Sequence, residues 1–347
     1  MHKQEKANRQ YTYNIAMKTE TIKENNSLKE VLQNLGKCIP IVLIIYFIFG
    51  QIVSKSKTTV LAVPSDRYRI VTVKSYKKGS ICPILQGGLG NRLFQFSTAF
   101  AAAKSKDMDV LIPSDAQIRQ IFEINVTFTN TSQFCKGLPK VLDKASPKYD
   151  RNILNFSSSS NIQLGYGLQS WKYFYKYDKQ LRKQLTFQKH IKDAAKQEID
   201  KILQKRNITS RKDITLVGVH IRRGDKVDNN DGFNIATPEY LNRAVNYYVT
   251  KYKSVLFIVI SDGMEWSKHN MPTHVPIEYV SLGKREMDMA TVVQCDHTIM
   301  TIGTFGWWIG YLTNGEVVYL KDAARKGSRF ERILNHKDHF YSNWRGL

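Results

Sequence analysis

The sequence predicts an α/β fold in which two sheet-and-helix halves face a cleft. Three observations carry this. Near-continuous apolar runs such as LVGVHIR (216–222) and SVLFIVISD (254–262) read as strands buried on both faces, as in a parallel sheet covered by helices. Amphipathic or glycine-led segments of helical character separate such runs. The alternation occurs twice, so two Rossmann-like halves fit better than one, and no internal repeat is present.

Residues 1–37 are polar and read as a tail outside the fold. Residues 38–54, CIPIVLIIYFIFGQIVS, carry no charge and are bracketed by Lys37 and Lys55. At about 1.5 Å rise per residue the run approaches the thickness of a bilayer core. It has no amphipathic period, lies far from Met1 for a cleaved leader, and is followed by a polar stretch. It therefore reads as one uncleaved transmembrane signal-anchor, with residues 55–79 as a stem. The flanking charge is even: Lys18, Lys23, Lys29 and Lys37 against Lys55, Lys57, Arg67 and Arg69, so charge bias does not orient the span. Four glycosylation sequons, at Asn125, Asn130, Asn155 and Asn207, all follow it and favour a lumenal C-terminal side.

Ordered structure is expected from about Ser80. SICPILQ (80–86) reads as a short buried strand, GGLGNRLFQFSTAFAAAKS (87–105) as a glycine-rich turn entering a helix, and DVLIP (109–113) as a second strand. Residues 114–212 read as mostly helical and irregular. LVGVHIR follows, and then the amphipathic TPEYLNRAVNYYVTKY (237–252), with Thr237 as N-cap and Pro238 in the first helical position. After SVLFIVISD come a helix at 285–295 and strands at 297–303 and 316–322, separated by TFGWWIGYLTNG. Trp307 and Trp308 read as core.

The 347 residues are 42% hydrophobic and 24% charged, a globular rather than a disordered composition. The net charge of +22 suggests an anionic partner. Lysine and arginine are spread along the chain rather than gathered into an arm or stripe, which points away from nucleic acid. Of the four cysteines, Cys38 sits at the membrane edge, and Cys82, Cys135 and Cys295 allow at most one intramolecular disulfide. No cysteine–histidine cluster has zinc spacing, and no metal or other cofactor is expected.

The candidate chemistry lies where buried strands stop. Ligands of open α/β sheets bind at the carboxyl ends of the strands. VGVHIRRGD (217–225) ends there in His220, Arg222, Arg223 and Asp225. Side chains alternate along a strand, so His220 and Arg222 share the cleft face, and an arginine fork suits a phosphate. Arg223 and Asp225 are expected to form a supporting ion pair. The glycine loop 87–90 opens a helix whose free N–H groups suit an anion, although its spacing fits neither dinucleotide nor P-loop fingerprints. Thr304 stands at a third strand end. Asp262, in SDGMEW (261–266), reads as a binder of a sugar hydroxyl or, by preference, as a helix cap.

GGLGNRLFQF, HIRRGDK, SDGMEW and TIGTFGWW, in that order, resemble the α1,2-fucosyltransferases of glycosyltransferase family 11, over about residues 80–345. The resemblance implies a GT-B fold, two Rossmann-like domains with the active site between them, and a GDP-fucose-binding half over about 213–330. It implies a Golgi type II membrane enzyme with a lumenal catalytic domain, 80–347. The reaction would be metal-independent inverting transfer of fucose from GDP-fucose to the 2-hydroxyl of a terminal β-galactose on a glycan. By the same resemblance Arg222 holds the β-phosphate, His220 lies by the nucleoside, Asp288 binds guanine, Thr304 and Phe305 meet the pyrophosphate, and Asn91 approaches the phosphate. For the base, Asp225, Asp228 and Asp231 all follow the arginine motif, and Asp231 is the preferred candidate. The chain departs from the vertebrate pattern at Ser267 and through most of 114–212, which leaves the acceptor open.

Two other readings compete. One is a metal-dependent UDP-sugar transferase working through Asp107 and Asp109, an Asp-x-Asp pair at the start of a strand. The other is a membrane-tethered lectin or adhesion protein acting through Arg223-Gly224-Asp225.

Overall fold

The computed structural model describes residues 78–347, save 130, 131, 145 and 228. The expected tail and anchor, and the stem as far as residue 77, lie outside the described residues. Among the described residues no helix is long and apolar enough to cross a membrane.

The first half holds β1 (Ser80–Pro83), α1 (Leu89–Lys106), β2 (Asp109–Pro113), α2 (Gln117–Ile121), β3 (Thr127–Thr129), α3 (Ser132–Lys136), β4 (Lys140–Asp143), β5 (Asn161–Tyr166), α4 (Asp178–Gln184) and α5 (Lys189–Lys205). Its strands form one parallel sheet in the order β3-β2-β1-β5-β4. Three of these strands fall inside 114–212, so the expectation of a mostly helical segment is corrected. They are short, and β5 (NIQLGY) puts polar side chains in a central position of the sheet, so apolar periodicity does not reveal it.

The second half runs β6 (Thr215–Ile221), α6 (Pro238–Lys251), β7 (Val255–Ser261), α7 (Met264–Asn270), β8 (Ile277–Tyr279), α8 (Arg285–Val293), β9 (His297–Met300), α9 (Thr304–Thr313), β10 (Val317–Tyr319), α10 (Arg329–Ile333), α11 (His336–His339) and β11 (Arg345–Gly346). Its strands form a six-stranded sheet, also parallel, in the order β11-β10-β9-β6-β7-β8. The two apolar runs that announced the fold are its central pair, β6 and β7, each buried at all but one position. The Thr237 hydroxyl accepts the Tyr240 N–H, so α6 starts where the cap signal put it.

The halves share a core. Phe94 of α1 packs against Trp307 and Trp308 of α9, with ring centroids 4.6 and 5.0 Å apart. Both indoles are fully buried. At ~25 cal/mol per Å² over roughly 200 Å² each is worth about 5 kcal/mol. Contact between α1 and α9 needs a glycine: a Cβ on Gly90 would lie 2.5 Å from the Thr304 carbonyl carbon. Among the described residues a disulfide joins Cys82 to Cys135, and Cys295 is free and buried. The side chains of Asn125, Asn155 and Asn207 are exposed, and Asn130 lies outside the described residues.

Candidate active site

Strand order brings the three motif segments together. β6 lies between β7 and β9, so residues just beyond Ile221, Ser261 and Met300 meet at one edge of the sheet. The N-terminus of α1 reaches the same place from the first half. The result is a cleft of about 670 Å³ that includes Asn91, His220, Arg222, Asp288, Thr304 and Phe305 in its lining. The structure thus gathers all six residues expected at the donor.

Arg222 is the centre of this cleft. Its backbone N–H donates to Thr301 Oγ1 at 2.9 Å, which fixes the chain as it leaves the sheet. Its guanidinium pairs with Asp225 and with Asp262. Gly224 makes room for this arrangement, because a Cβ there would lie 2.5 Å from Asp262 Oδ2. Two expectations are corrected here. Asp225 pairs with Arg222 and Lys226 and not with Arg223, because the tight turn at Gly224–Lys226 folds it back. Arg223, two residues beyond the end of β6, instead lays its guanidinium 3.8 Å over the Trp266 ring. Asp262 is not a helix cap: α7 has Gly263 in that position, and the Asp262 carboxylate accepts the Arg223 N–H at 2.6 Å while holding Arg222.

The electrostatics follow from burial. Desolvation opposes ionisation of Asp225, but the charges of Arg222 and Lys226 outweigh it and hold the carboxyl below its usual range. His220 is fully buried, and burial together with the Arg222 cation pushes its imidazolium down to about 3. It is therefore neutral at physiological pH. The ring lies 5.3 Å from that of Phe305, and its Nδ1, which has no hydrogen-bond partner among the described residues, faces Gly306, where a Cβ would come within 2.6 Å. Burial raises the Asp288 carboxyl, and one of its oxygens accepts the Leu282 N–H at 2.7 Å.

Two helices begin at the cleft without side-chain caps, α1 after Gly88 and α9 after Gly303, whose φ is 89°. Uncapped N–H groups at a helix start favour anions. The Thr304 hydroxyl donates to Asn91 Oδ1 at 2.8 Å and so fixes the two starts side by side. Gln169, which had no signal in the sequence, donates to the same Asn91 oxygen at 3.2 Å.

Other candidates stand apart. Asp231 is exposed, pairs with Lys226 at 3.1 Å, and does not line the cleft. Asp107 pairs with Lys78 at 2.7 Å, and neither it nor Asp109 lines the cleft. The Arg-Gly-Asp tripeptide is engaged within the fold, by Trp266 and Asp262 on one side and Arg222 and Lys226 on the other.

Residues 45–347 match the sequence profile described as Glycosyl transferase family 11. The chain belongs to glycosyl transferase family 11. Within that family it is 30% identical, over 274 residues, to galactoside alpha-(1,2)-fucosyltransferase 2 of Pongo pygmaeus, covering 75% of this chain and 77% of that one. It is 28% identical over 278 residues to galactoside alpha-(1,2)-fucosyltransferase 1 of Homo sapiens, covering 75% and 73%. Among solved structures, the fucosyltransferase NodZ from Bradyrhizobium matches with a TM-score of 0.44 at 11% identity, over 67% of this chain and 93% of that one. POFUT1 in complex with GDP-fucose matches with a TM-score of 0.43 at 13% identity, over 68% and 94%.

Proposed function

We propose that this family 11 glycosyltransferase moves L-fucose from GDP-fucose to the 2-hydroxyl of a terminal β-galactose, with inversion and without a metal ion. We read its two parallel-sheet halves as a GT-B pair, with the donor on the second half. One observation carries the reading. A fixed arginine and two uncapped helix starts converge in a single cleft, in a chain whose relatives are named galactoside alpha-(1,2)-fucosyltransferases.

The chemistry follows from that convergence. The acceptor oxygen attacks the anomeric carbon of fucose, and the bond from that carbon to the phosphate oxygen breaks, its electron pair leaving with GDP. Positive charge grows on the sugar and negative charge on the diphosphate. Arg222 meets the leaving diphosphate with paired N–H groups, and the N–H groups of α1 and α9 share the load. Asp262 and Asp225 set the plane of the guanidinium beforehand, so little reorganisation is left for the reaction itself. Neutral His220 and Phe305 flank the nucleoside, and Asp288 accepts from guanine. We assign the acceptor proton to Asp231, which stands exposed just outside the cleft lining, paired with Lys226.

The same reading places the enzyme in the Golgi membrane as a type II protein anchored by residues 38–54, with 80–347 lumenal. The exposure of Asn125, Asn155 and Asn207 supports it. The test of function is to offer the purified enzyme labelled GDP-fucose and a panel of galactosides in EDTA, then assign the product linkage by NMR. An α1,2-linked fucosyl galactoside is expected. Complete loss of transfer in EDTA, or a different linkage, would contradict the proposal.

A further inference from the structure

A second cavity, of about 400 Å³, lies beside the cleft at the same carboxyl edge of the six-stranded sheet. Arg243 and Arg325 line it with one carboxylate, Asp322, and with Lys226, whose charge is already paired with Asp225 and Asp231 at 3.3 and 3.1 Å, so the excess rests on the two arginines. Among the described residues neither Arg243 nor Arg325 forms an ion pair, although Arg243 lies close enough to the exposed Glu239 carboxylate to stabilise its charge; Arg325 donates to the Asn229 carbonyl at 2.5 Å. The segment that supplies Arg325 is basic throughout: residues 321–332, KDAARKGSRFER, carry five cations against two acids. Among the described residues none of these five cations is in an ion pair.

The cavity adjoins the cleft. Phe233 and Lys226 line both. Phe233 packs against Phe330, another cleft residue, with ring centroids 4.1 Å apart, and Lys226 Nζ lies 4.7 Å over the Phe233 ring. A bridge between Phe233 and Ala324 stitches the loop after β6 to the basic segment. The order of surfaces is therefore diphosphate site, aromatic wall, cationic cavity. The apolar face of a sugar ring packs on such a wall, and the arginine forks beyond it match anionic oxygens.

We propose that this cavity is an acceptor subsite for an anionic group, sulfate or carboxylate, on the saccharide adjoining the terminal galactose. The inference rests on the cleft being a fucosyl-transfer site. A glycan fits better than an unrelated polyanion because the cavity shares the Phe233 and Lys226 wall with the cleft that holds the reaction centre. The donor diphosphate has its own anion site at Arg222 and the helix starts.

The experiment compares kcat/KM of the full chain for three acceptors that differ in one substituent: a neutral galactosyl disaccharide, the same with a 6-sulfate on the penultimate sugar, and the same with a penultimate uronate. At low ionic strength an anionic acceptor is expected to be preferred roughly five- to tenfold, with the preference compressed in high salt. Preference for the sulfated acceptor alone, the uronate alone, or both supports the subsite and identifies its anion. Arg243→Gln should reduce the preference and Arg243→Gln with Arg325→Gln should abolish it, while kcat/KM for the neutral acceptor stays within about twofold. Arg243→Gln alone leaves the Arg325 bond to Asn229 intact, so the test survives if the double variant does not fold. Equal use of all three acceptors, or a preference unchanged in Arg243→Gln, overturns the subsite while leaving the transferase reading in place. Absence of transfer to any galactoside removes both.

Discussion

The guanidinium of Arg222 is held by the carboxylate of Asp262, two residues that leave the sheet side by side because Ile221 on β6 is in register with Ser261 on β7. The same carboxylate accepts the Arg223 N–H, so Asp262 ties the backbone of the arginine motif as well as its charge.

Asp262 is therefore a positioning residue for Arg222. Asp262→Asn keeps the shape and the N–H acceptor but weakens the grip on the guanidinium. The expected result is a fall in kcat of roughly tenfold, less than loss of the arginine itself, with a smaller change in the KM for acceptor. Steady-state kinetics with varied acceptor separate the two; a wild-type kcat would refute the assignment.

The contact between α1 and α9 gives a second expectation. At Gly90 an added methyl group meets backbone, which has no rotamer to yield. Gly90→Ala should lower the unfolding free energy by about 1–3 kcal/mol, the usual cost of overpacking, and should weaken GDP binding as Asn91 moves away from Thr304. Denaturant titration and GDP binding measure the two effects. Gly137→Ala, where a Cβ would meet nothing within 4 Å and which does not line the cleft, is the control.

Acid sensitivity follows from two buried imidazoles. Burial first, and then Arg222, push His220 down to about 3; burial pushes His339 down to about 4, against a bond from its Nδ1 to the Gln169 carbonyl. Both folded values lie below the unfolded value of about 6.5, so the unfolded chain binds more protons in between. Their contribution is fully present above that unfolded value and is lost as pH falls towards the folded ones. By pH 5 the loss is about 2 kcal/mol for each histidine. Denaturant titrations at pH 7.5 and pH 5 check this, and His339→Gln should remove about half of the difference.

The chemistry was more legible in the sequence than the fold around it. Apolar runs ending in charge marked β6 and β7, and the strand-end rule put His220, Arg222 and Asp262 at one edge. The tight spacing of glycines at 87–90 marked the start of α1. The roles of Asp225 and Asp262 were not legible, because they depend on which strands are neighbours, and pairing is a non-local property. The first sheet was only half visible, since β3 has three residues and β5 carries Asn161 and Gln163 among its apolar positions. Gln169 gave no signal because it acts through a single bond to Asn91 from a segment of irregular backbone.

The central claim is that Arg222 neutralises the departing diphosphate. The most direct measurement is the single-turnover rate of Arg222→Ala with saturating GDP-fucose and a galactoside acceptor, in EDTA, on protein whose thermal unfolding matches the wild type. A loss of roughly 10²–10³ is predicted, with Arg222→Lys recovering only part of it because the paired fork is gone. Turnover within about threefold of wild type, well short of the effect of deleting one such donor, would contradict the account.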